Sequence, residues 1–186
     1  MSQEIEVKFP LRDRHELTRK LHELGAQRLY PETFEDNIVL DRRGELRTKG
    51  ALLRVRKFGK YALATFKGPM SIEAGGIKTR EEVQTGVESF ELAIQLFDSL
   101  GFKPVFRYQK YREVWRIRDV EVVLDRTTIG DYFEIEGPME TIRTISGELG
   151  MNFDQAIRLT YADLYRQARR TRADLPEHMV FPADQL

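Results

Sequence analysis

The chain has no cysteine among its 186 residues. That excludes disulfides and thiolate metal sites. It has no net charge either: 30 Lys and Arg balance 30 Asp and Glu. A cationic nucleic-acid binder would carry a basic excess, so the totals argue against nucleic acid as a partner. Histidine is scarce, at 3 residues. His15 and His22 fall on a predicted helix and His178 near the C-terminus. None is in phase with the charged strand faces described below, so none is expected in catalysis or metal binding. No apolar run approaches membrane-spanning length. The opening MSQEIEVKF lacks the basic segment and apolar stretch of a leader, so the expectation is a cytoplasmic protein with no membrane partner. Internal repeats, low-complexity tracts and Gly/Ser linkers are also missing. A single domain over about residues 1–170 is therefore expected, with residues 171–186 an irregular C-terminal extension.

What is present is a sizeable apolar fraction, 41%, and an unusually high charged one, 32%. Two kinds of pattern alternate along the chain. Helical spacing marks Asp13–Leu24, with Asp13 as N-cap, and Glu88–Leu100, and the chain closes with helices over about Glu140–Leu149 and Asp154–Arg170. Alternation with period 2 marks about eight strands, among them 4–9, 51–57, 61–67, 78–85, 104–117, 121–125 and 132–137. Residues 27–41 read as extended with Pro31 interrupting, Gly68-Pro69 as a strand end, and Met70–Gly76 as a loop.

The strands share an unusual trait. Glu4/Glu6, Arg54/Arg56, Lys110/Arg112 and Glu134/Glu136 are like-charged pairs two residues apart, each on one face of one strand. Lys8, Lys67, Arg80 and Asp125 fall on such faces too. A single pair of this kind reads as a solvated sheet face. Four in one domain do not, because neighbouring like charges repel by about 1 kcal/mol in water and more in a less polar site. The opposite faces are apolar: Ile5, Val7, Phe9, Leu53, Val55, Phe133 and Ile135. The pattern predicts an α+β fold in which an antiparallel sheet curls into a barrel, charged inside and packed under helices outside. Trp115 is out of phase with Lys110 and Arg112 and is expected on the outer, packed face. Clustered Arg and Lys match polyphosphate oxygens, and clustered carboxylates match hard cations such as Mg²⁺ or Mn²⁺.

The ordered set of motifs resembles the CYTH family, also called triphosphate tunnel metalloenzymes. Glu4-x-Glu6-x-Lys8 resembles its N-terminal signature. Leu53-Arg54-Val55-Arg56, Thr65-Phe66-Lys67, Arg80-Glu81-Glu82, Lys110-Tyr111-Arg112, Leu124-Asp125, Gly130–Gly137 and Tyr161-Ala162-Asp163-Leu164 follow in the family's order. The resemblance implies an eight-stranded antiparallel tunnel. Lys8, Arg54, Arg56, Lys67, Arg80, Lys110 and Arg112 would hold phosphate oxygens. Glu4, Glu6, Asp125, Glu134 and Glu136 would be the catalytic, metal-holding carboxylates, with Glu82 a weaker candidate. Val39-Leu40-Asp41-Arg42 departs from the family pattern, which puts a role for Asp41 in doubt.

Two activities are implied: a class IV adenylyl cyclase, converting ATP to cyclic AMP and pyrophosphate, or a triphosphatase acting on thiamine triphosphate, inorganic triphosphate or nucleotides. The compact length and the Leu100–Val105 segment are most similar to the cyclase-type branch, whose members also imply a homodimer. A non-catalytic polyphosphate or nucleotide sensor and a purely structural barrel are the other readings.

Overall fold

The computed structural model describes residues 2–3, 5–72 and 78–185, with side chains described within 5–69 and 81–184. Glu4, the side chain of Arg80 and most of the predicted Met70–Gly76 loop lie outside the described residues. The fold is α+β. Its strands are β1 (Ser2–Gln3), β2 (Glu6–Pro10), β3 (Gln27–Asp41), β4 (Leu52–Phe58), β5 (Tyr61–Ile72), β6 (Lys78–Val87), β7 (Lys103–Ile117), β8 (Val120–Thr127) and β9 (Gly130–Glu136). The α-helices are α1 (Arg14–Glu23), α2 (Glu45–Thr48), α3 (Phe90–Ser99), α4 (Met139–Glu148) and α5 (Tyr161–Thr171). The strand order is β1-β6-β5-β4-β3-β7-β8-β9-β2. The chain's first two strands thus stand at opposite ends of the order. Counted as one interrupted N-terminal strand, they bring the total to the eight expected.

Contacts divide the chain into two compact units, and β3 and β7 run through both. The first unit comprises Met1–Glu4, Phe34–Gln109 and Pro176–Val180. Here β4, β5 and β6 pair antiparallel, and β4 also pairs with the second half of β3. Leu40, Leu53, Val55 and Ala93 form the buried core, completed by Phe90, Ile94 and Phe97 of α3. The Ser89 hydroxyl caps α3 by accepting from the Leu92 amide at 3.1 Å. Asp41 has a structural role: its two oxygens accept from the amides of Leu46 and Arg47 at 3.0 and 3.2 Å, starting α2 after the turn in which Arg43 and Gly44 adopt φ of 56° and 80°. Gly68-Pro69 does not end β5. The strand continues past an irregularity between Lys67 and Met70, where a bulge takes up the missing proline amide.

The second unit comprises Ile5–Thr33, Lys110–Leu175 and Phe181–Leu186. Strands β7, β8, β9 and β2 pair antiparallel in that order. One face supplies Val7, Phe9, Trp115, Ile117, Val122, Leu124, Phe133 and Ile135 to a core closed by Leu17 and Leu21 of α1 and by Ile142 and Ile145 of α4. Burying each such side chain contributes about 1.5–3 kcal/mol. Trp115 is among them, with His22 edge-on to its ring at 4.8 Å. Asp13 caps α1 as expected, accepting from the Glu16 amide at 2.9 Å. Gly137 ends β9 at φ 149°; a Cβ there would lie 2.7 Å from Val120 Cγ1 and 2.9 Å from the Asp119 carbonyl, so only glycine fits.

The last helix starts at Tyr161, seven residues later than the spacing suggested. A 3-10 turn covers Phe153–Gln155, and the backbone of Ile157 then bridges Lys8, its amide donating to the Lys8 carbonyl at 2.7 Å. A Thr160/Asp163 capping box sets the true start of α5.

Candidate functional site: a charged strand face in each unit

In the second unit, strand register assembles the polar face. Lys8 stands opposite Glu134 and Glu6 opposite Glu136, across β2 and β9. Arg112 stands opposite Asp125, across β7 and β8. Residues directly opposed share a face, so Glu6, Lys8, Lys110, Arg112, Asp125, Glu134 and Glu136 all lie on the face turned away from the apolar core. Ile5 and Val7 pack into that core, as the alternation requires.

The side chains interlock. Lys8 Nζ meets Glu134 Oε1 at 2.7 Å, and Arg112 reaches Glu134 Oε2 at 2.6 Å. Arg112 also forks onto both oxygens of Asp125, at 2.7 and 2.6 Å. Asp125 Oδ2 accepts from Lys110 at 3.0 Å and from the Tyr161 hydroxyl at 2.7 Å. Lys8, Lys110, Asp125 and Glu134 are buried, Asp125 completely. Three cations therefore meet two carboxylates inside this cluster. Glu6, exposed at its rim, adds its field at Lys8.

Burial disfavours the charges of Asp125, Glu134 and Lys8, and pairing overrides it. Burial pushes the Asp125 carboxyl up, but Arg112, Lys110 and the hydrogen bonds from Arg112 and Tyr161 hold it well below the usual range. Glu134 is likewise lowered: Lys8 and Arg112 outweigh its burial. Burial would lower the Lys8 ammonium, yet Glu134, Glu6 and Asp125 raise it. All three groups are held charged.

The first unit carries its own polar face. Arg54 stands opposite Thr65, and Thr65 opposite Gln84; Lys67 stands opposite Glu82. Lys67 Nζ meets Glu82 Oε2 at 2.9 Å. Arg56 donates to Gln84 Oε1 at 3.1 Å, and its other terminal nitrogen lies 3.8 Å from Glu35 Oε2. Arg54 donates to the Tyr108 hydroxyl at 2.9 Å. Burial works against the Arg54 charge, but Tyr108, Glu35 and Glu82 raise its pKa further. Among the described residues Arg54 Nε is buried without a hydrogen-bond partner, as expected of a cation shaped for an oxyanion acceptor.

Glu35, Asn37, Tyr108 and Tyr161 were not singled out from sequence as site residues. Glu35 and Asn37 are fully buried, and Asn37 donates to Glu35 Oε1 at 3.0 Å. Signals for three of the four were available. Tyr108 is in phase with Lys110 and Arg112, and Glu35 and Asn37 alternate with Ile38 and Leu40. Met179 pairs by backbone with β7, donating to the Arg107 carbonyl at 3.0 Å. His178 Nδ1 accepts from the Arg107 amide, consistent with a structural role.

Among the described residues no group of three His, Asp or Glu side chains stands ready to hold a metal ion. All four carboxylate oxygens of Asp125 and Glu134 are engaged by the cations above, and Asp125 by Tyr161 as well. By donor type, Glu6, Glu134 and Glu136 suit a hard divalent cation, since they offer oxygen alone from neighbouring register positions.

The chain belongs to the CYTH domain family, whose model matches residues 2–146. It is 29% identical over 175 residues, 87% of this chain and 97% of the relative, to a Methanocaldococcus jannaschii protein named "Putative adenylate cyclase". Its fold is that of a Vibrio parahaemolyticus structure of the same name, at TM-score 0.78 and 15% identity over 89% of this chain and 98% of that one. The fold is also shared with a Hippeastrum "Putative adenylyl cyclase" described as having a dominant triphosphatase activity, at TM-score 0.67 and 15% identity over 90% and 96%. Among the described residues no helix is long and apolar enough to cross a membrane.

Proposed function

We propose that the protein is a divalent-metal-dependent enzyme acting on a triphosphate, and that it is an adenylyl cyclase of the class IV kind, converting ATP to cyclic AMP and pyrophosphate. The observation that carries this reading is the cluster of Lys8, Lys110 and Arg112, gathered around the buried carboxylates of Asp125 and Glu134. Such a cluster offers oriented donors to an anion with several oxygens. The name of the 29%-identical relative favours the cyclase. Triphosphate hydrolysis is the second reading, favoured by the triphosphatase activity described for a protein of the same fold.

In this account Lys8, Lys110 and Arg112 of the second unit bind phosphate oxygens and offset charge developing on the leaving group, and Arg54, Arg56, Lys67 and Arg80 of the first unit are each candidates for phosphate oxygens in their own right. Glu6, Glu134 and Glu136, with Glu4, would hold Mg²⁺ or Mn²⁺. The metal would supply Lewis-acid charge neutralisation and lower the pKa of the attacking oxygen. Asp125 is a further carboxylate that would hold the metal, and it also aims Lys110 and Arg112. In a cyclase the attacking group is the ribose 3′-hydroxyl, with the α-phosphorus as target. In a triphosphatase it is water, with the terminal phosphorus as target.

Product analysis separates the two. ATP, thiamine triphosphate and inorganic triphosphate are each incubated with Mg²⁺ or Mn²⁺. Cyclic AMP with pyrophosphate is expected from ATP. Orthophosphate without cyclic AMP would replace the cyclase with the triphosphatase. Binding without any turnover would leave a sensor.

A further inference from the structure

Tyr161 is the first residue of α5 and is almost entirely buried in the polar face of the second unit. Two ammoniums lie against its ring: Lys8 Nζ is 4.3 Å and Lys110 Nζ 4.8 Å from its centroid. Both distances are within cation–π range. Its hydroxyl donates to Asp125 Oδ2 at 2.7 Å, the oxygen that also takes Lys110. Tyr132, opposite Asp125 in the ladder, meets the ring edge-on at 5.7 Å.

The approach of Tyr161 is fixed by the chain before it. Ile157 is bridged to the Lys8 backbone, the Leu159 carbonyl accepts from Lys8 Nζ at 3.4 Å, and the capping box locks the helix start. Ile157, Leu159 and the Tyr161 ring thus all meet one lysine, Lys8. The ring's negative face attracts both ammoniums, in addition to the carboxylates Glu134 and Asp125 that pair with them.

We propose that Tyr161 is a positioning residue for triphosphate binding: its aromatic ring holds the Lys8 and Lys110 ammoniums at the spacing that two phosphate oxygens require. This rests on the triphosphate reading of the site. The ring attracts both ammoniums through its negative face. The hydroxyl fixes the ring by anchoring it to Asp125.

The test is calorimetric binding of inorganic triphosphate to the full chain without divalent metal, followed by steady-state kinetics with metal. Tyr161→Phe keeps the ring and is expected to bind within about threefold of the parent. Tyr161→Leu removes the ring, and its Kd and KM are expected to rise about tenfold with kcat changed less than threefold. Leucine there could prevent folding, so the second series replaces Tyr161 with phenylalanine bearing one, two or three ring fluorines. These keep the shape while draining the ring's negative face, and Kd is expected to climb with each fluorine. A flat fluorine series overturns the proposal, as does a folded Tyr161→Leu protein that binds within twofold of the parent. A Tyr161→Phe loss equal to that of Tyr161→Leu also overturns it, assigning the effect to the hydroxyl. If the parent protein itself binds no triphosphate, the functional reading falls and the proposal with it. A parent that binds while the fluorine series stays flat sinks the proposal alone.

Discussion

Replacing Asp125 with Asn tests the buried network at its most connected point. The carboxylate is fully buried and accepts from Lys110, from two nitrogens of Arg112 and from Tyr161. The amide keeps one acceptor oxygen and nearly the same volume. It loses the charge, and its NH₂ group faces donors. Glu134 would remain paired with Lys8 and Arg112, and the Asp125 pairings of Lys110 and Arg112 would be lost. Removing one partner of a buried ion pair costs about 3–5 kcal/mol, because the other charge is left uncompensated. For a chain of this size 1 kcal/mol moves the melting temperature by about 2–4 °C, so a fall of about 6–20 °C is expected. Urea denaturation at pH 7 gives the same quantity independently, as a shift in midpoint at constant slope. A double-mutant cycle with Lys110→Met should return a coupling of about 1–3 kcal/mol. A folded Asp125→Asn protein within about 1 kcal/mol of the parent, or a coupling near zero, would refute the claim that this carboxylate organises the cations.

Other expectations follow from the same contacts. Asp125 and Glu134 have lowered folded-state pKa values, so their stabilisation is fully present above the unfolded carboxylate range near ~4 and is lost as pH falls below it. Acid titration of stability should show this slope, and Asp125→Asn should flatten it; equal slopes would contradict the assignment. Glu134→Gln should lower turnover by about two to three orders of magnitude, read as product formed per folded molecule. Trp115→Ala should cost about 3–5 kcal/mol by denaturation while leaving triphosphate affinity unchanged, because the ring lies on the opposite face from the cluster. Gly137→Ala should destabilise by more than about 1 kcal/mol, since both its φ of 149° and the Val120 contact reject a Cβ.

The polar faces were legible in sequence because they depend on a period of 2. Once β2 and β9 are strands, Lys8 and Glu134 cannot share a face with Val7 and Phe133, and register does the rest. Trp115 was placed by the same rule. Alternation says nothing about which cation meets which acid, so the fork of Arg112 across Asp125 and Glu134 emerged only from the ladders. The start of α5 was misjudged for a different reason. Ala156–Leu159 could continue a helix on local preference, but Ile157 is drawn to the backbone of Lys8, about 150 residues away in sequence. The Thr160/Asp163 capping box was the local clue. Glu35 and Asn37 are not legible as buried from sequence, because residues of these types are mostly exposed.

The central claim is that this chain turns over a triphosphate through a metal-dependent site. The most direct measurement follows ATP and inorganic triphosphate by ³¹P NMR with the purified protein in Mg²⁺ or Mn²⁺, in chelator, and with Glu134→Gln. The account predicts metal-dependent loss of the ATP signals, with pyrophosphate and cyclic AMP appearing, abolished by chelator and nearly so by Glu134→Gln. Persistence of both triphosphates with either metal, at a protein concentration where the fold is intact, would contradict it.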